Sequence, residues 1–86
     1  SPALRAILLE SRGDLAWRGG DAALAVARYR EALALHPDRA RERLLVAKIA
    51  AATDPALAQA LARLEAEGKT AAAMERLSAA ARRITQ

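Results

Sequence analysis

The chain has 86 residues, 53% of them hydrophobic, which limits it to one small domain with a modest core. It contains no cysteine, so disulfides and thiolate metal sites are excluded, and no apolar run approaches the roughly 18 residues of a membrane span. Basic residues exceed acidic ones by four, and twelve of the fourteen are arginine. This arginine use, together with abundant alanine, is typical of a GC-rich, bacterial coding sequence.

The composition favours helix along the whole chain. Alanine, leucine, arginine and glutamate are good helix formers, whereas the strand-favouring residues valine and isoleucine are scarce. They occur only at Ile7, Val26, Val46, Ile49 and Ile84. We therefore predict an all-α protein of about five helices.

The first two helices are bounded by clear start and stop signals. Ser1 followed by Pro2 is typical of a helix start, and the first helix is predicted to run to about Arg18. The glycine pair at 19–20 ends it, because glycine adopts the left-handed conformation at little cost. Asp21 is placed to cap the second helix.

The second helix is predicted to reach His36, because Pro37 disfavours helical geometry at the residue before it. We expect His36 to interact with the last carbonyls of this helix. Asp38 then caps a third helix, which runs to about Ala52.

The last two helices follow the same kind of punctuation. Residues 53–55 combine a capping residue with a proline and start the fourth helix, which Gly68 ends. Thr70 is placed to cap a last helix from Ala71 to about Ile84. Because three of the four connections are very short, successive helices are expected to fold back as antiparallel neighbours.

Apolar spacing predicts one buried face on the first, fourth and last helices. The predicted buried positions are Leu4, Leu8, Ser11 and Leu15 on the first helix, Leu57, Leu61 and Leu64 on the fourth, and Met74, Leu77, Ala81 and Ile84 on the last.

Small residues, one aromatic residue and one proline follow a regular spacing between positions 13 and 37, at Gly13, Gly20, Asp21, Ala25, Tyr29, Ala32 and Pro37. This spacing resembles the tetratricopeptide repeat (TPR), a helix-turn-helix unit, over residues 6–39. The resemblance implies that Gly13 and Ala25 let the two helices approach closely while Tyr29 fills the layer beneath. Another kind of tight antiparallel helical hairpin is the alternative reading.

Repeat length extends this interpretation to the rest of the chain. Residues 40–67 are read as a degenerate second repeat and residues 70–84 as a capping helix. We expect antiparallel helical hairpins stacked as a short TPR-like right-handed superhelix. Residues 1–86 would form a single domain, as a fragment of a longer chain.

The resemblance also implies a binding surface, since stacked repeats of this family present a concave face lined by the first helix of each pair. Two stripes occupy that side: Ile7, Glu10, Asp14, Trp17 and Arg18 on the first helix, and Arg41, Leu44, Leu45 and Lys48 on the third. The candidate partner-binding residues are Glu10, Asp14, Trp17, Arg18, Arg41, Leu45 and Lys48.

Two of these positions have alternative explanations. Glu10 and Asp14 carry like charges four residues apart and repel by about 0.2–0.5 kcal/mol, so another group should offset them. Either Arg41 and Lys48 on the adjacent helix neutralise them, or they face a basic segment of a partner. Trp17 is expected either to cover the turn beside the glycine pair, the reading we favour, or to anchor a partner.

Catalytic and cofactor roles have no support in the sequence. His36 is the only histidine, and with no cysteine it cannot form the usual kind of zinc site. The helical phase of the acidic residues suggests solitary or solvent-directed carboxylates, and a glycine-rich phosphate loop is missing. We therefore expect neither an enzyme, nor a metal, nor a cofactor.

The charge pattern disfavours specific nucleic-acid binding. At about 100° per residue, Arg39 and Arg43 point one way and Arg41 and Lys48 point nearly the opposite way. No basic stripe forms, and aromatic platforms for base stacking are missing.

Protein binding is the function that remains. We predict a non-catalytic protein-protein interaction module that binds a partner segment, with basic segments among the candidates. Recognition of a terminal carboxylate is disfavoured, because the chain has no asparagine for the polar clamp that some family members use. The alternative is homo-oligomerisation or a scaffold role within a larger bacterial protein, since a single clear repeat is short of the three that a stable array needs. The sequence is compatible with a cytoplasmic or a periplasmic location.

Overall fold

The computed structural model describes residues 1–85, which form five α-helices and no strand. The all-α prediction is confirmed. None of the helices within these residues has both the length and the apolar character needed to cross a membrane. The helices are α1 (Pro2–Arg18), α2 (Ala22–Leu33), α3 (Arg39–Thr53), α4 (Pro55–Ala66) and α5 (Thr70–Ile84).

Aspartate caps start the three middle helices, as predicted. The carboxylates of Asp21, Asp38 and Asp54 accept hydrogen bonds from the amides three residues later, at 3.0, 2.8 and 3.2 Å respectively. The cap predicted at Thr70 is wrong. Thr70 is itself the first residue of α5, and Lys69 occupies the cap position without a side-chain hydrogen bond.

Helix α2 ends at Leu33, three residues earlier than predicted. His36 has a φ of +52°, in the left-handed region, and its backbone amide donates a 3.0 Å hydrogen bond to the Leu33 carbonyl. Pro37 keeps the preceding residue out of right-handed helical geometry. The chain therefore leaves α2 through the left-handed residue His36. The turn between Leu33 and His36 is closed by a bond that spans three residues, so the regular helix ends earlier. The contact with the end of α2 is made by the His36 backbone.

The close approach of α1 and α2 predicted at Gly13 is confirmed. A Cβ atom on Gly13 would lie 2.4 Å from Cε1 and 2.6 Å from Cδ1 of Tyr29, well inside van der Waals contact. Ala25 and Ala32 are fully buried on the same helix as Tyr29. The ring of Tyr29 is therefore the group that requires glycine at position 13.

The buried face predicted for α1 is wrong. Leu4, Leu8 and Leu15 are 57%, 56% and 64% exposed, and Ser11 is also exposed. The face that packs against the core consists of two small residues and one charged residue, Ala6, Gly13 and Glu10. Leu9 and Ala16 are partly buried beside this face. Close helix contact selects small residues, so the leucine stripe faces away from the core.

Helix α3 supplies the centre of the core. Its Leu45, Val46 and Ile49 are at most 1% exposed and are the largest fully buried side chains. The face predicted for α4 is confirmed, because Leu61 is buried and its neighbours pack on the core. The face predicted for α5 is also confirmed except at Met74, which is 40% exposed. The remaining large core contributions come from Tyr29 and Leu33 of α2 and Leu77 of α5.

Helices α3 and α5 run in opposite directions. The first turn of α3, at Arg39, shares a cavity with Arg82 in the last turn of α5, whereas Ala47 shares one with Thr70 at the start of α5. Two successive full reversals at the ends of α3 and α4 would make α5 parallel to α3. The connections on either side of α4 are therefore not both full reversals, which departs from the expectation that short connections make successive helices antiparallel.

Candidate binding face of α1, α3 and α5

A network of ion pairs joins α1 to α3. Glu10 is only 5% exposed. Its Oε1 accepts a 2.6 Å hydrogen bond from Nη1 of Arg41, and its Oε2 accepts one of 2.6 Å from Nζ of Lys48. Arg41 and Lys48 are seven residues apart, or two helical turns, so both can reach a single carboxylate on the facing helix.

The same network includes Asp14 and Tyr29. Lys48 Nζ lies 3.0 and 3.1 Å from the two carboxylate oxygens of Asp14. Tyr29 Oη donates a 2.6 Å hydrogen bond to Asp14 Oδ1, and Lys48 Nζ lies 5.8 Å from the centre of the Tyr29 ring. Lys48 therefore holds two carboxylates together and contacts an aromatic face.

These contacts shift three pKa values. Desolvation would raise the pKa of Asp14, but hydrogen bonds from Tyr29 and Lys48 outweigh it and hold the pKa below its ordinary 3.8. Desolvation would lower the pKa of Lys48, but its bonds to Glu10 and Asp14 outweigh it and hold the pKa above 10.5. Burial raises the pKa of Tyr29, and its bond to Asp14 raises it further.

The network decides how the acidic pair on α1 is neutralised. Of the two alternatives for Glu10 and Asp14, the structure shows the intramolecular one, with Arg41 and Lys48 as partners. The expectation that the acidic residues are solitary or solvent-directed is wrong for Glu10, which is buried and shares Lys48 with Asp14. Since their charges are already balanced, these carboxylates do not favour a basic partner.

The other predicted site residues lie in different surroundings. Leu45 is fully buried in the core, so it is not a surface residue and its assignment to the partner-binding set is wrong. It lies one residue past Leu44, which is 49% exposed. A shift of one residue rotates a side chain by about 100°, which separates the core face from the open one.

Trp17 does not pack as expected. It keeps 47% of its surface exposed and lies outside the core cluster. The turn beneath it is closed by backbone bonds instead, since Gly20 donates to the Trp17 carbonyl and Asp21 donates to the Ala16 carbonyl. Arg18 is exposed beside it. Both residues remain accessible on α1.

Sequence reasoning missed a cleft between α3 and α5. One part has a volume of about 420 Å³ and is lined mainly by alanine and aliphatic side chains, including Leu44, Met74 and Leu77. A second part, of about 430 Å³, contains Arg39, Arg43 and Arg82. The sequence groups Leu44 with Arg41 and Lys48 in one stripe of α3, but no sequence signal indicated that α5 lies beside Leu44.

The described residues contain no cluster of three or more histidine, cysteine, aspartate or glutamate side chains that could hold a metal ion. The carboxylates of Glu10 and Asp14 are engaged by cations and do not line either part of the cleft. No protein-family model, curated protein or solved structure matches this chain. Its function is therefore inferred from its own surfaces.

Proposed function

We propose that the chain is a non-catalytic protein-protein interaction module that binds a partner segment through the face formed by α1, α3 and α5. The observation that carries this proposal is the exposure of bulky apolar side chains on that face. Leu44 and Met74, which line one cleft, are 49% and 40% exposed, and Ile7 on α1 is 42% exposed. Apolar side chains that the fold leaves uncovered together, such as Leu44 and Met74, are typical of binding surfaces.

The ion-pair network supports the same function by fixing the geometry of the face. Ile7 lies one helical turn before Glu10, and Leu44 lies between Arg41 and Lys48 on α3. Because Glu10 bonds to both of these cations, the apolar side chains sit on two helices that are held together. A face that is ordered before binding loses less conformational entropy when a partner docks.

A TPR-like hairpin over residues 6–39 is part of this proposal. It is supported by the tight packing of Tyr29 on Gly13, by the complete burial of Ala25 and Ala32, and by a φ of +83° at Gly20 in the turn. The opposed directions of α3 and α5 depart from a regular stack of repeats. The resemblance is therefore proposed for the first hairpin alone.

Selection from a displayed library of random peptides tests the binding function. Two exposed leucines provide a matched pair: Leu44→Gln on the proposed face and Leu24→Gln on α2, where Leu24 is 42% exposed. We expect enriched peptides to lose affinity for the first variant only and to slow amide exchange in α3 and α5. Failure to enrich any peptide, or equal losses in both variants, would contradict the proposal.

Self-association is a second candidate function, favoured by the leucine stripe on α1. Leu4, Leu8 and Leu15 are each more than half exposed and lie on one side of the helix. A second copy could cover this stripe in an isologous contact. Sedimentation velocity over a range of concentrations tests this idea: we expect an oligomer that Leu8→Gln dissociates and Leu24→Gln does not. A monomer at every concentration removes this candidate.

A further inference from the structure

The two parts of the α3–α5 cleft adjoin each other and form a groove whose two ends differ in chemistry. Arg43 and Met74 line both parts. The apolar end adds Leu44 and Ala47, with Glu65 as the acidic residue at its edge. The basic end adds Arg39 and Arg82. It also contains His36, from the α2–α3 connection, and one carboxylate, that of Glu42.

Positive charge at the basic end is not balanced within the described chain. Arg39, Arg43 and Arg82 have no acidic group within 4.0 Å among residues 1–85, whereas Arg41 and Lys48, on the side of α3 that faces α1, are both paired. The carboxylate of Asp38 is directed at the amide of Arg41, where it caps the helix. Three arginines therefore face one carboxylate, Glu42, across an open cavity.

From this arrangement we propose that the groove binds an acidic amphipathic segment of another protein. Its apolar side chains would lie against Leu44 and Met74, and its carboxylates would pair with Arg39, Arg43 and Arg82. This inference rests on the proposed protein-binding function and adds the class of partner. Methionine suits the apolar end, because its flexible side chain adapts to different apolar groups.

The dimensions of the groove define the spacing in the partner. Arg39 and Ala47 are eight positions apart on α3, so the two ends lie about 12 Å apart at 1.5 Å per helical residue. A partner helix would carry its apolar residues and its acids about two turns apart, and an extended partner would separate them by about four residues.

A nucleic acid would satisfy only half of this groove. Phosphates would pair with the arginines, but the other end consists of leucine, methionine and alanine without an aromatic side chain on which a base could stack. A carboxylate-bearing peptide with aliphatic side chains matches both ends. Protein is therefore the favoured class of partner.

Fluorescence anisotropy with designed peptides and the full 86-residue chain tests the proposal. The probe is a labelled peptide with leucines on one side and acidic residues two turns away. Two matched peptides replace either the acids by lysine or the leucines by serine. We expect the acidic leucine peptide to bind about tenfold more tightly than either control, and to weaken as salt is raised.

Variants of the chain locate the site. The triple replacement of Arg39, Arg43 and Arg82 by glutamine should weaken binding about tenfold, since each exposed ion pair contributes modestly. The matched control replaces three exposed arginines elsewhere, changing the net charge equally: Arg5, Arg12 and Arg63. The Arg39 change also removes a cation from the first turn of α3, where the helix dipole disfavours it, so we expect the variant to fold.

Each alternative result overturns the proposal in a distinguishable way. Equal losses in the two triple variants would refute the groove assignment while leaving protein binding intact. Binding of a single-stranded oligonucleotide that survives Leu44→Gln, in place of peptide binding, would assign the arginines to nucleic acid. A dimer that Leu44→Gln dissociates would make a second copy the occupant. Failure of every peptide, including library-selected ones, would refute the proposed function as well.

Discussion

The residue at position 29 should decide whether replacing Gly13 by alanine lowers or raises the free energy of unfolding. The new Cβ would lie 2.4 Å from Cε1 of Tyr29, whose hydroxyl is held by a 2.6 Å bond to Asp14, so the ring must move. Overpacking of this kind costs about 1–3 kcal/mol, whereas alanine gains about 1 kcal/mol over glycine in a helix. Gly13→Ala should therefore destabilise the protein by about 1 kcal/mol.

In a Tyr29→Leu background the clashing ring atoms are absent, so Gly13→Ala should stabilise by about 1 kcal/mol. The coupling between the two positions is then about 2 kcal/mol, obtained from a double-mutant cycle of urea unfolding followed by circular dichroism. All variants are compared in one osmolyte concentration, so that the weakened background remains folded. Gly19→Ala, whose Cβ makes only ordinary contacts at 3.5 Å, is the control. Equal effects of Gly13→Ala in both backgrounds would refute the packing argument.

Three further predictions concern charge and backbone conformation. Glu10→Gln should cost about 1–3 kcal/mol in urea unfolding, because it leaves Arg41 without a carboxylate partner and Lys48 with Asp14 alone, whereas Glu31→Gln, in an exposed pair with Arg28, should cost less than about 0.5 kcal/mol. The lowered pKa of Asp14 contributes stability above pH 3.8 that is lost as the pH falls through the folded pKa, so Asp14→Asn should flatten the acid limb of the unfolding free energy. His36→Gly should raise stability by about 0.5–1 kcal/mol by relieving the left-handed φ, whereas Ala34→Gly, at a right-handed φ, should lower it; unchanged melting temperatures for both would contradict this assignment.

Local signals in the sequence predict most helix boundaries and the first hairpin. The helix caps at Asp21, Asp38 and Asp54 are predictable because each capping hydrogen bond joins residues only three positions apart. The approach of α1 to α2 is also readable, since Gly13 and Tyr29 belong to one spaced pattern. These features depend on contacts between residues that are close in sequence, so local patterns indicate them.

The buried face of α1 was not predictable from apolar periodicity. Periodicity identifies where leucines cluster on a helix, but it does not show which side a neighbour covers. The covered side of α1 holds Ala6, Glu10 and Gly13, a set with little apolar character, because the neighbouring helix supplies the Tyr29 ring and α3 supplies the countercharges. A buried carboxylate and a glycine are hidden from a search for leucine stripes.

The direction of α5 also depends on information beyond local spacing. Gly68 adopts a φ of +73° after α4. The backbone conformation of this connection determines the direction in which α5 packs against α3. Sequence spacing indicates that a turn exists but leaves its angle open. The cleft lined by Leu44 and Met74 depends on this orientation of α5. A binding surface formed by two helices distant in sequence therefore could not be predicted from local spacing.

The distribution of side chains links the packing of the chain to its proposed binding. Charged groups occupy the junction of α1 and α3, while leucines and a methionine remain exposed on the surfaces beside it. The pairing of Glu10 favours the observed register of α1 and α3, because a shifted register would leave Glu10 buried without a partner. Leu44 and Met74 stay on the surface, where we propose that an apolar partner segment covers them.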